Sequence, residues 1–317
     1  MFIWDIEKQK RIKSGYSYTN LKSILKKEGD LQILYKDTLI DFEYKTFHQK
    51  GLKSFSLLQT KEKDERTNFN NLSIKVYNKE YKSVLDYLSK SDKFTGKELV
   101  TLYELISKKL HCNMLYLTDS ASVLCEVSGI SDQTNLALYL LLKQNKTYYE
   151  KLGYTLDIKY NTNTYFQVNK SPQETLNYVL DRLNKIDVKE INKMNSIILN
   201  NIKKCILQNS EWRFLDIQND GWDSIIGNHS YDYYNYFLTY TNYFMLLNNR
   251  KKLIPALLEV YDKNCILYNK IISRITTQYD YKFEFNSKIY VCEYMLLLKL
   301  LKDISSNANN TYYYKKI

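Results

Sequence analysis

Between residues 38 and 47 the chain reads TLIDFEYKTF, in which Ile40, Phe42 and Tyr44 alternate with Asp41, Glu43 and Lys45. A period of two is that of a strand with one buried and one solvated face. NLSIKVYN repeats the pattern with Leu72, Ile74 and Val76 on one side, and KSFSLLQ between them reads as a further strand. Strands at about 31–77 therefore predict an antiparallel meander, with the charged TKEKDERTNFNN as a solvated hairpin tip.

After residue 95 the period lengthens. Thr95 to Glu98 (TGKE) forms a capping box ahead of LVTLYELISKKL. NMLYLTDSAS reads as a buried strand entering a polar turn, SDQTNLALYLLLKQNKTYYEKL as a long apolar helix ending at Gly153, and YTLDIKY as a strand. Ser171-Pro172-Gln173-Glu174 combines a cap, a first-turn proline and a capping-box glutamate. Asp187 to Glu190 starts another helix, in which Ile191, Met194, Ile198, Ile202 and Cys205 form one core-facing stripe. DYYNYFLTYTNYFMLLNN and LIPALLEVYDKNCILYNKIISRI predict two more helices, YKFEFN a strand, and KIYVCEYMLLLKLLKDI a last helix. The expected fold class is α+β. Residues 1–165 form an α+β region with an N-terminal antiparallel meander and a central α/β segment at about 112–160. Residues 171–305 form a mostly helical half, and 306–317 a flexible tail.

Composition refines this picture only slightly. The chain has 317 residues, with 44% hydrophobic and 15% aromatic content, which places it among folded chains. Its 46 Lys+Arg against 35 Asp+Glu give a net charge of +11, which suits an anionic partner. No block or tail carries that excess. The 31 Tyr, the abundant Lys, Asn and Ile, and only 8 Gly and 2 Pro are what AT-rich codons encode, so part of the charge is genomic. The five cysteines (112, 125, 205, 265, 292) are widely spaced without a C-x-x-C, and MFIWDIEKQKRIKSG lacks the apolar core of a signal peptide. LALYLLL and YMLLLKLL fall short of the roughly 18 residues a spanning helix needs. These features predict a soluble, intracellular protein with reduced cysteines and no membrane span.

Candidate chemistry is sparse. No two glycines are spaced as G-x-G, which excludes a P-loop, a dinucleotide fingerprint and a kinase glycine loop; G-x-S-x-G and H-E-x-x-H are also missing. Three histidines leave little material for a zinc site, and no cofactor is expected. The most polar stretch is WRFLDIQNDGWDSIIGNHSYDYY. There Asp216, Asp220 and Asp223 would converge on a divalent cation if Gly221 and Gly227 made turns, and Asp220, Asp223 and His229 are the candidate general acid–base groups. The competing reading is an inter-helix loop, which collects Asp, Asn and Gly for turn geometry. TDSAS could present Asp119 and Ser120 at a sheet edge or simply cap the next helix. The tyrosines of 233–244 would offer stacking faces or fill a core.

Two resemblances add expectations. Tyr148-Tyr149-Glu150-Lys151-Leu152-Gly153-Tyr154 resembles the LYEKLGF segment of GCN5-related N-acetyltransferases. The resemblance implies a tyrosine, here Tyr149, that protonates the departing coenzyme A thiolate. The family's upstream R/Q-x-x-G-x-G/A pyrophosphate loop has no counterpart before residue 146. The wider span 112–157, a short strand, TDSAS, a leucine-rich helix and KTYYEKLGY, looks like uncharacterised proteins of large nucleocytoplasmic DNA viruses. This implies an interaction or virion component acting in the host cytoplasm or virion, with a viral or host protein as partner. The alternatives are a divergent acyltransferase or metal-assisted enzyme, and a nucleic-acid-binding protein using dispersed lysines and tyrosines.

Overall fold

A computed structural model of the chain describes residues 2–6, 10–13, 29–49, 52–59, 72–77, 80–88, 93–119, 121–157, 171–207, 213–214, 230–277, 282–285, 288–291, 293–306 and 312–317. The fold is α+β. Its first strands are β1 (Phe2–Asp5), β2 (Lys10–Lys13), β3 (Gly29–Tyr35), β4 (Thr38–Gln49), β5 (Leu52–Gln59), β6 (Leu72–Tyr77) and β7 (Lys82–Leu88). Helix α1 (Gly96–Lys109), β8 (Met114–Thr118), β9 (Ser122–Val127), β10 (Ile130–Asn135), α2 (Leu136–Gln144), α3 (Tyr148–Lys151) and β11 (Thr155–Asp157) follow. Then come α4 (Pro172–Lys185), α5 (Val188–Leu207), β12 (Arg213–Phe214), α6 (Ser230–Met245), α7 (Leu253–Lys263) and α8 (Cys265–Thr277). The series ends with β13 (Lys282–Phe285), β14 (Lys288–Val291), α9 (Glu293–Ser306) and β15 (Tyr312–Lys316).

These elements fall into two compact units, one drawn from 1–119, 149–157 and 312–317, the other from 120–148 and 158–311. The division differs from a single cut near residue 165, because the chain leaves the first unit twice and returns to it twice.

Unit 1 is one ten-stranded sheet in the order β11-β15-β8-β7-β6-β5-β4-β3-β1-β2. Neighbours pair antiparallel except β1 with β3 and β7 with β8. The alternation read from the sequence sets its faces. Leu31, Ile33, Tyr35, Ile40, Phe42, Tyr44, Leu72, Ile74 and Val76 are buried. The crossover from β7 to β8 is α1, which packs on β6 and β7 through Leu99, Leu102, Tyr103 and Ile106. Its capping box forms as the sequence predicts. Thr95 Oγ1 accepts from the Glu98 amide, and the Glu98 carboxylate accepts from the Thr95 amide. Lys36 also donates to Glu98, and these contacts hold its carboxyl down at about 2. Beneath α1 the Tyr103 hydroxyl accepts from the Tyr116 amide (3.2 Å) and donates to the Ser83 carbonyl (2.9 Å). Ser83 and Ser107 hydroxyls meet at 2.6 Å beside it, so this buried polar cluster stitches the β7–β8 pair to the helix.

Residues 306–317, expected as a flexible tail, include β15. That strand pairs antiparallel with β8 on one side and β11 on the other, in the sheet interior. Tyr313, on its inner face, is fully buried.

Unit 2 is helical around α9. Residues 294–301 of α9 are buried on every side, the mark of a central helix, and α4, α8 and α2 pack against it. Its first residue, Glu293, takes a bidentate pair from Arg182 of α4 at 2.5–2.8 Å. The α4 capping box between Ser171 and Glu174 is also present. Five helix expectations change. The long helix read through to Gly153 breaks at Asn145, whose left-handed backbone ends α2, and YYEK forms the separate α3. KIYV, read as the start of the last helix, is strand β14, and α9 begins at Glu293. SDQTN, read as the start of a helix, is strand β10, and the helix begins only after Asn135, whose side chain caps Leu138. LIPALLEVYDKNCILYNKIISRI breaks at Asn264, which ends α7 in extended backbone and caps α8 through the Leu267 amide. On α5, Ile191, Ile198 and Ile202 are buried, but Met194 is 42% exposed and Asn195 takes the core position, accepting from the Tyr294 hydroxyl.

The cysteines were expected to be reduced. In the structure Cys125 of β9 and Cys265 of α8 form a disulfide, with Cα atoms 5.9 Å apart and 140 residues between them in sequence. Spacing along the chain cannot reveal such a pair. One turn on, Asn269 accepts from Thr134 and donates to Asp132, so the β9–β10 hairpin is held to α8 at two successive levels.

Two outcomes follow from this architecture. Replacing Tyr313 by Ala should cost about 3–5 kcal/mol, the range for emptying a buried aromatic site, as read from the urea midpoint. A non-reducing peptide map should show Cys125 linked to Cys265, and reduction should lower the stability measured in denaturant by about 2–4 kcal/mol.

Candidate functional site

Tyr149 lies at the short helix α3, where the chain re-enters unit 1. Its ring is 7% exposed, packed against Tyr313 at 5.2 Å and edge-on to Tyr154 at 6.2 Å. Gly153 ends the helix at φ 84°, as the sequence suggests. Its amide donates to the Glu150 carbonyl and the next amide to Tyr149. Lys315 clamps this corner. Its Nζ pairs with Glu104 of α1 at 2.9 Å, donates to the Leu152 carbonyl at 2.9 Å, and sits 5.2 Å over the Tyr154 ring. Burial, reinforced by the charge of Glu104, pushes the Tyr154 hydroxyl well above the ordinary phenol range. The acetyltransferase resemblance requires parallel strands splayed beside the tyrosine. Here β15 lies between β8 and β11 and pairs antiparallel with both. The corner holds its tyrosines as packed core groups joined by a half-buried ion pair.

The other predicted site residues, Asp216, Asp220, Asp223 and His229, lie outside the described residues, as does Ser120. Among the described residues no group of three or more His, Cys, Asp or Glu side chains is placed to hold a metal ion. In the tyrosine-rich α6, Phe237, Thr241 and Phe244 face the core. No described helix is long and apolar enough to cross a membrane.

A different surface emerges from the register of the sheet. Both described helices of unit 1 lie on one face: α1 packs on β6 and β7, and α3 reaches the same side through Tyr313 and Lys315. On the opposite face one register row runs Lys45, Ser56, Lys75, Val84, Tyr116, Tyr314 and Thr155. The adjacent row runs Tyr77, Lys82, Met114 and Lys316. Phe47 joins it edge-on to Tyr77 at 6.0 Å, and Lys82 Nζ sits 5.1 Å over the same Tyr77 ring. Phe47, Tyr77, Tyr116 and Tyr314 are all partly exposed. Neither row contains an acidic residue. Acids flank them: Glu43 pairs with Lys45 and Asp86 with Lys75, both at 2.9 Å, and Glu80 pairs with Lys82.

This surface is not legible in the sequence, because it needs the register and because TYYYKK reads as a tail. The available signal was the alternation in TYYYKK, where Tyr313 and Lys315 point one way and Tyr314 and Lys316 the other.

The corner itself makes a measurable claim. Gly153→Ala should destabilise by about 1–2 kcal/mol in chemical denaturation, the cost of an L side chain in left-handed backbone. Space is not the cause: an added Cβ would meet Lys315 Nζ only at 3.6 Å, an ordinary contact.

Compared with protein-family models, curated proteins and solved structures, the chain matches none of them, so its function rests on its own geometry.

Proposed function

We infer that this chain is a binding protein whose working surface is the face of the unit 1 sheet opposite the described helices of that unit. One observation carries the reading. The described helices of unit 1 cover one face only, and on the other four partly exposed aromatic rings stand in two adjacent register rows. A solvated sheet face ordinarily alternates in polar residues. Aromatic rings concentrated there are the composition of a recognition surface. The likeness of residues 112–157 to uncharacterised proteins of large DNA viruses supports the infected cell or the virion as the setting. The packed ring of Tyr149 and the position of β15 between β8 and β11 favour binding over acyl transfer.

A thermal-shift comparison tests the reading, since any ligand that binds only the native state raises the melting temperature. Acetyl-CoA, Mg²⁺, Mn²⁺ and Ca²⁺ are each expected to leave it unchanged. A rise with acetyl-CoA that Tyr149→Phe abolishes would replace the reading with acyl transfer. A rise with a divalent cation that Asp220→Asn and Asp223→Asn abolish would replace it with a metal-assisted activity.

A further inference from the structure

We propose that the face of the sheet opposite the described helices of unit 1 is a stacking platform for single-stranded nucleic acid. The inference rests on the binding-protein reading above and names the partner of that surface. Single-strand recognition needs two things: aromatic faces on which bases stack, and cations that track the phosphates. Both occur here in the same two rows. Phe47, Tyr77, Tyr116 and Tyr314 supply the rings, and Lys45, Lys75, Lys82 and Lys316 the charges. Neighbouring strands are about 4.8 Å apart, so the five steps from β4 to β15 span roughly 24 Å, enough for several nucleotides. Tyr116 and Tyr314 are direct cross-strand partners, and Tyr77 stands two strands away from Tyr116, so the rings are spread along a path.

The lysines are accessible. Side chains of Lys45, Lys75 and Lys82 are 55%, 38% and 31% exposed, and Lys316 is exposed. Three of them hold flanking carboxylates. Exposed pairs of this kind contribute little, so a phosphate can take the place of each carboxylate without a large penalty. The lysines themselves lie inside the aromatic rows and the acids outside them, which confines the anion path to the rings. A duplex, whose bases are stacked inside, offers nothing to these rings. A protein partner would use the aromatics but has no need of four aligned cations.

The test is fluorescence anisotropy of labelled 12-nucleotide single-stranded DNA and RNA, and of the matching duplex, with the full chain. Single strands should bind at least tenfold more tightly than duplex. Four phosphate contacts give a slope of about −3 in log affinity against log salt, so binding should weaken about fifty-fold from 50 to 200 mM. Tyr116→Ala and Tyr314→Ala should each lose about tenfold, and Tyr116→Phe, which keeps the ring, should bind as the parent does. Lys82→Ala and Lys316→Ala should each flatten the salt slope by about 0.7. Lys203→Glu with Lys204→Glu, on exposed positions of α5, controls for general charge and should change affinity less than twofold. Circular dichroism melting confirms that each variant is folded. Absence of binding at 50 mM salt, equal binding of duplex, or equal loss in the α5 variant would overturn the proposal. Such a failure leaves the binding-protein reading standing, with a protein as the partner of this face, because that reading fails only on acetyl-CoA or a divalent cation.

Discussion

The pairing of Tyr312–Lys316 between Met114–Thr118 and Thr155–Asp157 holds unit 1 together. Among the described strands β11 pairs with β15 alone, and through it the α3 corner is tied to the rest of the sheet. One five-residue strand serves three purposes by alternation. Tyr313 fills the core against Tyr149, Lys315 clamps Glu104 and the end of α3, and Tyr314 and Lys316 complete the two outer rows. Aromatic burial supplies most of the stabilisation here, because the half-buried Glu104–Lys315 pair gains Coulomb energy only against its desolvation.

Unit 2 is organised around a different constraint. A helix buried on every side over 294–301, α9, needs cover on every side, and α2, α4 and α8 pack against it. Polar contacts are then placed at element ends, where they fix position and orientation. Arg182 holds Glu293 at the start of α9, Lys252 pairs with Asp187 where α5 begins and α7 follows, and Asn269 ties the β9–β10 hairpin below its disulfide. The Asn195–Tyr294 pair departs from that pattern, a hydrogen bond placed inside the helical core.

What could be read in advance was whatever is local. Alternation at Ile40, Phe42 and Tyr44, and at Leu72, Ile74 and Val76, placed strands correctly, and Thr95 with Glu98 and Ser171 with Glu174 marked two helix starts. Elements decided by distant partners were not legible. SDQTN has poor strand propensity and forms β10 because Val127 back to Ser122 pairs with it and α8 holds it. Cys125 and Cys265 meet only through that same packing. Asn264 breaks a continuous apolar pattern because a side-chain cap competes with the helix ladder. The outer face was hidden for a related reason: its rings and lysines are scattered over strands from residue 45 to residue 316, and only the ladder brings them into rows.

The interleaving of the two units has a consequence for how the protein is made. A ribosome delivers Met114–Thr118 before unit 2 and Tyr312–Lys316 only after it, so β8 waits with one edge open while unit 2 is made. That edge, MLYLT, is apolar and carries no charge to discourage pairing with another chain. Closing it requires contacts of very long sequence separation, the slowest kind to form. The same edge is complementary to the 312–316 strand of a neighbouring nascent chain, so strand exchange between copies competes with closure increasingly as chain concentration rises.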